Sequence, residues 1–141
     1  MIILDTDHIS VLQNSHASDH ATLMAKMSAS TDQDFVTTVI TLEEQLRGWL
    51  ALLNRSQDVS NHVIPYDRLL GLVQFFSLWT VLPFDNSAAD RFHQFRNQKI
   101  RIGTMDLKIA SIAVPKNALL LSSNLRDFQQ VPNLRVEDWR H

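Results

Sequence analysis

The sequence predicts an α/β domain built on a mostly parallel central sheet. Three observations carry that expectation. The chain opens on an apolar run, Ile2-Ile3-Leu4, that leads straight into two carboxylates, Asp5 and Asp7, flanking the small hydroxyl residue Thr6. Short apolar or β-branched runs then recur at residues 34–39, 80–84, 118–122 and 134–136, the composition of buried strands. Between them lie longer segments with helical spacing, and a strand–helix alternation of this kind gives parallel strands joined by crossovers.

At 141 residues the chain fits one domain, 1–141, long enough to bury roughly two thirds of the surface an unfolded chain exposes. Cysteine is absent, which excludes disulfides, thiolate metal sites and a cysteine nucleophile and is compatible with a reducing cytoplasm, the expected location. The opening residues lack a basic region followed by an apolar signal core, and no run approaches about 18 apolar residues, so neither export nor a membrane is expected. A formal net charge of −2 argues against broad electrostatic capture of nucleic acid. Any such contact must be local or metal-mediated.

In chain order, Asp5 ends the first strand, where open α/β sheets place their ligands; as a first-turn acid it serves equally well as a helix cap. Residues 8–13 and 21–27 are short helices. His8, His16 and His20 invite a metal reading, but they lie in a polar, irregular stretch with no carboxylate pattern beside them. After the strand at 34–39, Thr41 and Glu44 have the spacing of a reciprocal capping box. Leu42, Leu46, Trp49, Leu50 and Leu53 give the helix 42–54 its apolar stripe. Gly48 inside that helix predicts a close helix approach, because glycine there costs roughly 1 kcal/mol against alanine.

Residues 63–79 are apolar on nearly every side, with Phe75, Phe76 and Trp79 among them. They read either as a central helix or as an interface, with a homodimer expected on the second reading. Residues 80–84 form a short strand stopped by proline, and Asn86 or Ser87 caps the next helix. That helix and the loop after it carry Arg91, Arg96, Lys99 and Arg101. Arg96, Lys99 and Arg101 are candidate phosphate contacts, although a solvated helix face explains the same residues. Asp106 falls in the first turn of a small-residue helix after Gly103, and Asp127 follows the strand at 118–122.

Asp5, Glu44, Asp106 and Asp127 thus each fall at a strand end or near the start of the following helix, and a parallel sheet gathers such positions at one edge. Clustered carboxylates repel and raise one another's pKa, which a hard divalent cation relieves. Oxygen-only ligation favours Mg²⁺ or Mn²⁺ over zinc. The expected ligands are Asp5 and Asp106 with Glu44 assisting, the three converging at metal-bridging distance, and Asp127 at the rim. No Gly-x-Ser-x-Gly elbow or P-loop offers another chemistry.

The sequence resembles the PIN-domain ribonucleases and, within them, the VapC-like toxins of bacterial toxin–antitoxin pairs. The resemblance spans nearly the whole chain. It is carried by Ile3-Leu4-Asp5-Thr6-Asp7, by Thr41-Leu42-Glu43-Glu44 with Gly48, by Gly103-Thr104-Met105-Asp106-Leu107-Lys108-Ile109-Ala110 and by Ser122-Ser123-Asn124-Leu125-Arg126-Asp127-Phe128. It implies helices on both faces of the sheet, a three-layer α/β/α PIN-like fold. It also implies a magnesium-dependent endoribonuclease acting on single-stranded RNA, with a cognate antitoxin as partner. The family's acids map onto Asp5, Glu44, Asp106 and Asp127. Glu44 is preferred to Glu43 because the pattern places the acid three residues after Thr41 and four before Gly48, and adjacent helical residues point about 100° apart. Asp7 stands where asparagine is common, Gln45 where leucine is usual, and Ser122 where threonine often follows the strand. Asp7, Ser122 and Asn124 are expected to support the acids from behind. Pro115 interrupts the helix after Asp106 and is expected to end it.

Two other readings compete. Asp5-Thr6-Asp7 superficially matches phosphatases with an aspartate nucleophile, but Ile9 stands where they carry Thr or Val. An inactive PIN fold that only binds RNA or a protein predicts the loss of acids that are all present here.

Overall fold

In the computed structural model, which describes residues 1–141, the elements run β1 (Ile2–Leu4), α1 (Thr6–Leu12), α2 (His20–Ala29), β2 (Phe35–Thr38), α3 (Val39–Arg55), α4 (Val63–Phe76), β3 (Val81–Leu82), α5 (Asn86–Asn97), α6 (Thr104–Ala113), β4 (Leu119–Leu121), α7 (Leu125–Phe128) and β5 (Arg135–Glu137). The strands form one sheet in the order β3-β2-β1-β4-β5. Every pairing is parallel. The chain moves from β1 outward to β2 and β3, then crosses back to β4 on the other side of β1. The switch in strand order therefore falls at the carboxyl end of β1, where Asp5 emerges.

Pairing of Ile3 with Val36 and with Leu120 puts these three side chains on one face, because alternate residues of a strand point to opposite sides. They pack with Phe95, Leu107, Ile109, Ile112 and Phe128 from α5, α6 and α7. Ile2, Leu4 and Leu121 point the other way and meet Ile9, Leu72 and Phe76 from α1 and α4. Helices thus cover both faces, as the three-layer expectation requires. Ile3, Leu4, Leu120 and Leu121 are fully buried, each such side chain contributing roughly 1.5–3 kcal/mol. No helix is long and apolar enough to cross a membrane.

Several local expectations are corrected. Helix α3 begins at Val39, and its cap is Thr38, whose hydroxyl accepts from the Thr41 amide at 3.3 Å. Thr41 is therefore no capping residue but a fully buried one inside the first turn. Val39 and Ile40 look like strand residues by propensity, and packing of Ile40 in the core overrides it. Helix α1 likewise starts at Thr6, capped by Asp5, and α5 is capped by Asp85, not by Asn86 or Ser87. A Cβ on Gly48 would meet nothing within 4 Å, so no close helix approach explains that glycine. Pro115 lies in the single 3₁₀ turn that follows α6, where the helix ends as expected.

Helix α4 is apolar all round without being buried all round. Pro65, Leu72 and Phe76 face the core, whereas Val63, Ile64, Tyr66, Leu70 and Val73 are exposed. Phe76 is only 6% exposed and belongs to the packed side of the helix, whereas Phe75 is half-buried and stacks on Trp79 at 5.9 Å.

Candidate active site

Asp5 is the hub. Its amide donates to Leu121 O at 2.9 Å, which fixes the backbone between β1 and β4. Its carboxylate accepts from the Thr6 amide through Oδ1 (2.7 Å) and from the Ser122 hydroxyl through Oδ2 (2.8 Å). Burial, reinforced by the charge of Asp7 and to a lesser degree of Asp106, pushes the Asp5 pKa up to about 7 against these two hydrogen bonds. Both oxygens are occupied and the side chain is buried, which is unsuited to a nucleophile that must reach a small phosphate ester.

Glu44, on α3, is tied to the first residue of α1. The Thr6 hydroxyl donates to Glu44 Oε2 at 2.8 Å and lies 3.3 Å from Thr41 Oγ1. Burial raises the Glu44 pKa, and the charges of Asp106 and Glu43 add to it. Glu43 instead pairs with Arg47, four residues on, at 2.5 Å on the exposed side of α3. Of the two adjacent glutamates, Glu44 is the one turned to the site.

Asp106 sits in the first turn of α6 and Asp127 in the first turn of α7. One amide holds both: Asn124 Nδ2 donates to Asp106 Oδ2 at 2.8 Å and to Asp127 Oδ2 at 3.1 Å. Burial raises the Asp106 pKa, with the charges of Asp127 and Asp7 behind it. Asn124 is itself aligned by its amide, which donates to Ser122 Oγ at 3.1 Å. Ser122 and Asn124 thus hydrogen-bond the carboxylates of Asp5, Asp106 and Asp127 and each other.

Asp7 differs in kind. Burial works to raise its pKa, but hydrogen bonds from His8 and from the hydroxyl and amide of Ser123 outweigh it and hold the carboxyl at about 2. Both of its oxygens are engaged by His8 and Ser123, which argues against the general-acid role that the aspartate-phosphatase reading needs. His8 is occupied too, by Asp7 and the Trp139 amide, and so is no metal ligand.

The structure therefore joins Asp5, Glu44, Asp106 and Asp127 through Thr6, Ser122 and Asn124 at one edge of the sheet. They do not form a ready-made ion cage, because no three His, Asp or Glu side chains stand in metal-ligating proximity. The expected convergence of Asp5, Glu44 and Asp106 at metal-bridging distance is corrected to that extent. The hydroxyl and amide groups bind both oxygens of Asp5 and one oxygen each of Glu44, Asp106 and Asp127. The donor set still suits a hard cation: it is all oxygen, and Glu44 Oε1, Asp106 Oδ1 and Asp127 Oδ1 are left without a protein donor.

Of the basic candidates, Arg96 is tied to the site. Its guanidinium lies over the Phe92 ring at 5.1 Å and donates to Thr104 Oγ1 at 3.1 Å, at the start of the helix that carries Asp106. Lys99, with φ 62°, and Arg101 are exposed in the loop leading to Gly103. Sequence reasoning missed Thr6 as the partner of Glu44 and Ser123 as the partner of Asp7. The only sequence signal for either is a small hydroxyl next to an acid-bearing turn.

No family model matches the chain. Among curated proteins it is 28% identical over 140 residues to the ribonuclease VapC of Rickettsia bellii, covering 96% of this chain and 93% of that one. It is 36% identical over 78 residues to the tRNA(fMet)-specific endonuclease VapC of Salmonella typhimurium. That match spans 52% of this chain and 59% of the relative, less than two thirds of its length. Among solved structures, a DNA-bound VapBC from Salmonella typhimurium superimposes with a TM-score of 0.71 and 25% identity, over 98% of this chain and 97% of that one. With its parallel five-stranded sheet, its acids joined near the β1 switch point and this likeness along nearly its full length, the chain has a PIN-like α/β/α fold and is similar to the VapC ribonucleases.

Proposed function

We propose that the chain is a Mg²⁺- or Mn²⁺-dependent endoribonuclease that cuts single-stranded RNA in the cytoplasm and is the toxin of a toxin–antitoxin pair. The observation that carries this reading is the linked set Asp5, Glu44, Asp106 and Asp127, each held by a neutral donor, with carboxylate oxygens left over. Asp5 and Asp106 would hold the cation, with Glu44 assisting. When bound, such an ion lowers the pKa of its water and neutralises charge on phosphoryl oxygens. Glu44, its Oε2 fixed by Thr6, keeps Oε1 to orient an attacking water. Asp127, on the same amide as Asp106, sets that carboxylate from the rim. Arg96, braced on Phe92, with Lys99 and Arg101 nearby in sequence, would contact the RNA backbone locally in a chain that is otherwise slightly acidic.

The partners follow from the apolar surface. Val63, Tyr66, Leu70 and Val73 recur at helical spacing on the exposed side of α4, a face suited to a second copy of the chain. Beside it, Gln13, Trp49, Arg68, Gly71, Leu72 and Phe75 line a groove of about 260 Å³, which suits the apolar side of an amphipathic antitoxin segment. The test of the activity is cleavage of a mixed-sequence single-stranded RNA with Mg²⁺, with Mn²⁺ and with EDTA. Cleavage with either metal and none with EDTA is expected, and metal-independent cleavage would refute the reading.

A further inference from the structure

His8 is completely buried, and each of its ring nitrogens has a partner. The Trp139 amide donates to Nε2 at 3.1 Å. A backbone N–H can only donate, so Nε2 accepts, and the one ring proton is on Nδ1. Nδ1 lies 2.5 Å from Asp7 Oδ1. Asp138 Oδ1 is also near, 3.4 Å from Nε2, but it is turned to Arg140 and accepts from that residue's amide (3.0 Å) and Nε (3.2 Å). The other oxygen of Asp7 accepts from the Ser123 amide (2.9 Å) and the Ser123 hydroxyl (2.5 Å). Ser123 stands between the two residues that hold the acids, Ser122 on Asp5 and Asn124 on Asp106 and Asp127.

A fully buried imidazole needs partners for both nitrogens whatever its role, and phenylalanine would fill the volume with no such need. What these two partners add is a direction: the Trp139 amide occupies Nε2 and leaves Nδ1 to donate to Asp7, in a relay that runs from the Trp139 backbone to the turn after β4. We propose that His8 is a positioning residue of the acidic site: anchored by the Trp139 amide, it orients Asp7, and through Asp7 it fixes the Ser122–Asn124 turn that presents Asp5, Asp106 and Asp127. The inference deepens the proposed cation-holding role of the acids and rests on it, but the positioning itself is measurable without a metal.

The experiment uses the whole chain, ¹⁵N-labelled and free of metal, with His8→Phe and His8→Asn. Asparagine places an amide nitrogen where Nδ1 stands, and phenylalanine offers no donor. In the wild type, one ring nitrogen of His8 should resonate as protonated Nδ1 and the other as bare Nε2. Exchange of the Ser123 amide should quicken about tenfold or more in His8→Phe and stay within about threefold of wild type in His8→Asn. Mn²⁺ affinity, read by electron paramagnetic resonance, should fall about tenfold in His8→Phe, the scale on which groups behind metal ligands act, and recover in His8→Asn. A proton on Nε2, or unchanged Ser123 exchange in folded His8→Phe, would overturn the inference. Should His8→Phe not fold, the ring resonances and His8→Asn still decide. If Ser123 responds as expected while neither wild type nor variants bind Mn²⁺, the positioning role stands and the cation reading falls.

Discussion

The hydroxyl of Ser122 donates to the buried carboxylate of Asp5 at 2.8 Å, from one strand end to the next across a parallel pair. It is one of only two hydrogen bonds that stabilise the charged form of Asp5, the other coming from the Thr6 amide. Removing it in Ser122→Ala leaves a buried charge short of a donor, which costs roughly 1–3 kcal/mol. The loss should be largest at pH 8, where Asp5 is ionised, and smaller at pH 5, where the raised pKa leaves it protonated. Urea unfolding at the two pH values measures it. Equal losses at both would contradict the assignment.

The raised pKa of Asp5 makes a second prediction about stability. Its pKa is about 7 in the folded protein and near 3.8 when unfolded, so the folded state binds the proton more tightly. The stability that this proton confers is fully present below about pH 3.8 and is lost as pH rises through 7. Asp5→Asn removes the titration. In EDTA the variant should match the wild type near pH 4 and exceed it at pH 8 by on the order of 2–4 kcal/mol. Glu44 and Asp106, also raised, leave a residual slope of the same sign in the variant. Thermal melts from pH 4 to 8 would show it, and a variant less stable at pH 8 would contradict the account.

Gly48 is exposed in the middle of α3 with open space where a Cβ would go. Gly48→Ala should therefore stabilise the monomer by about 1 kcal/mol from helix propensity alone. Denaturant unfolding checks this, and a destabilised variant would mean that something packs against that face.

The stripe on α4 yields a prediction about assembly. Leu70→Glu with Val73→Glu places charges on side chains that are 57% and 63% exposed, so the fold should survive with its melting temperature nearly unchanged. Light scattering at micromolar concentration should then give a monomer where the wild type gives a dimer. A wild-type monomer would remove the homodimer proposal.

The strands and the acids at their ends were legible because each is written locally, as apolar runs ending in carboxylates with helical spacing between them, whereas helices on both faces followed only from the family resemblance. The start of α3 was not, because Thr38, Val39 and Ile40 read as strand by propensity while their tertiary packing makes them a cap and a first turn. Gly48 misled for a related reason: helical spacing places a residue on the helix but does not say what, if anything, packs against that side. The support of the acids was half legible. Ser122 and Asn124 follow a strand and precede an acid, so their role can be read from position. Thr6 bonding Glu44 depends on α1 crossing α3, a contact between residues 38 apart in sequence, and no local pattern encodes it.

On the proposed reading, Asp106 and Asp5 hold a cation needed for RNA cleavage. Asparagine at either position preserves volume and removes charge from a hard-cation site. The direct measurement is the single-turnover cleavage rate of a mixed-sequence single-stranded RNA in Mg²⁺ by wild type, Asp5→Asn and Asp106→Asn, with folding of each verified by circular dichroism. Both variants should fold and cleave slower by orders of magnitude, and folded Asp106→Asn with wild-type activity would refute the cation-holding role.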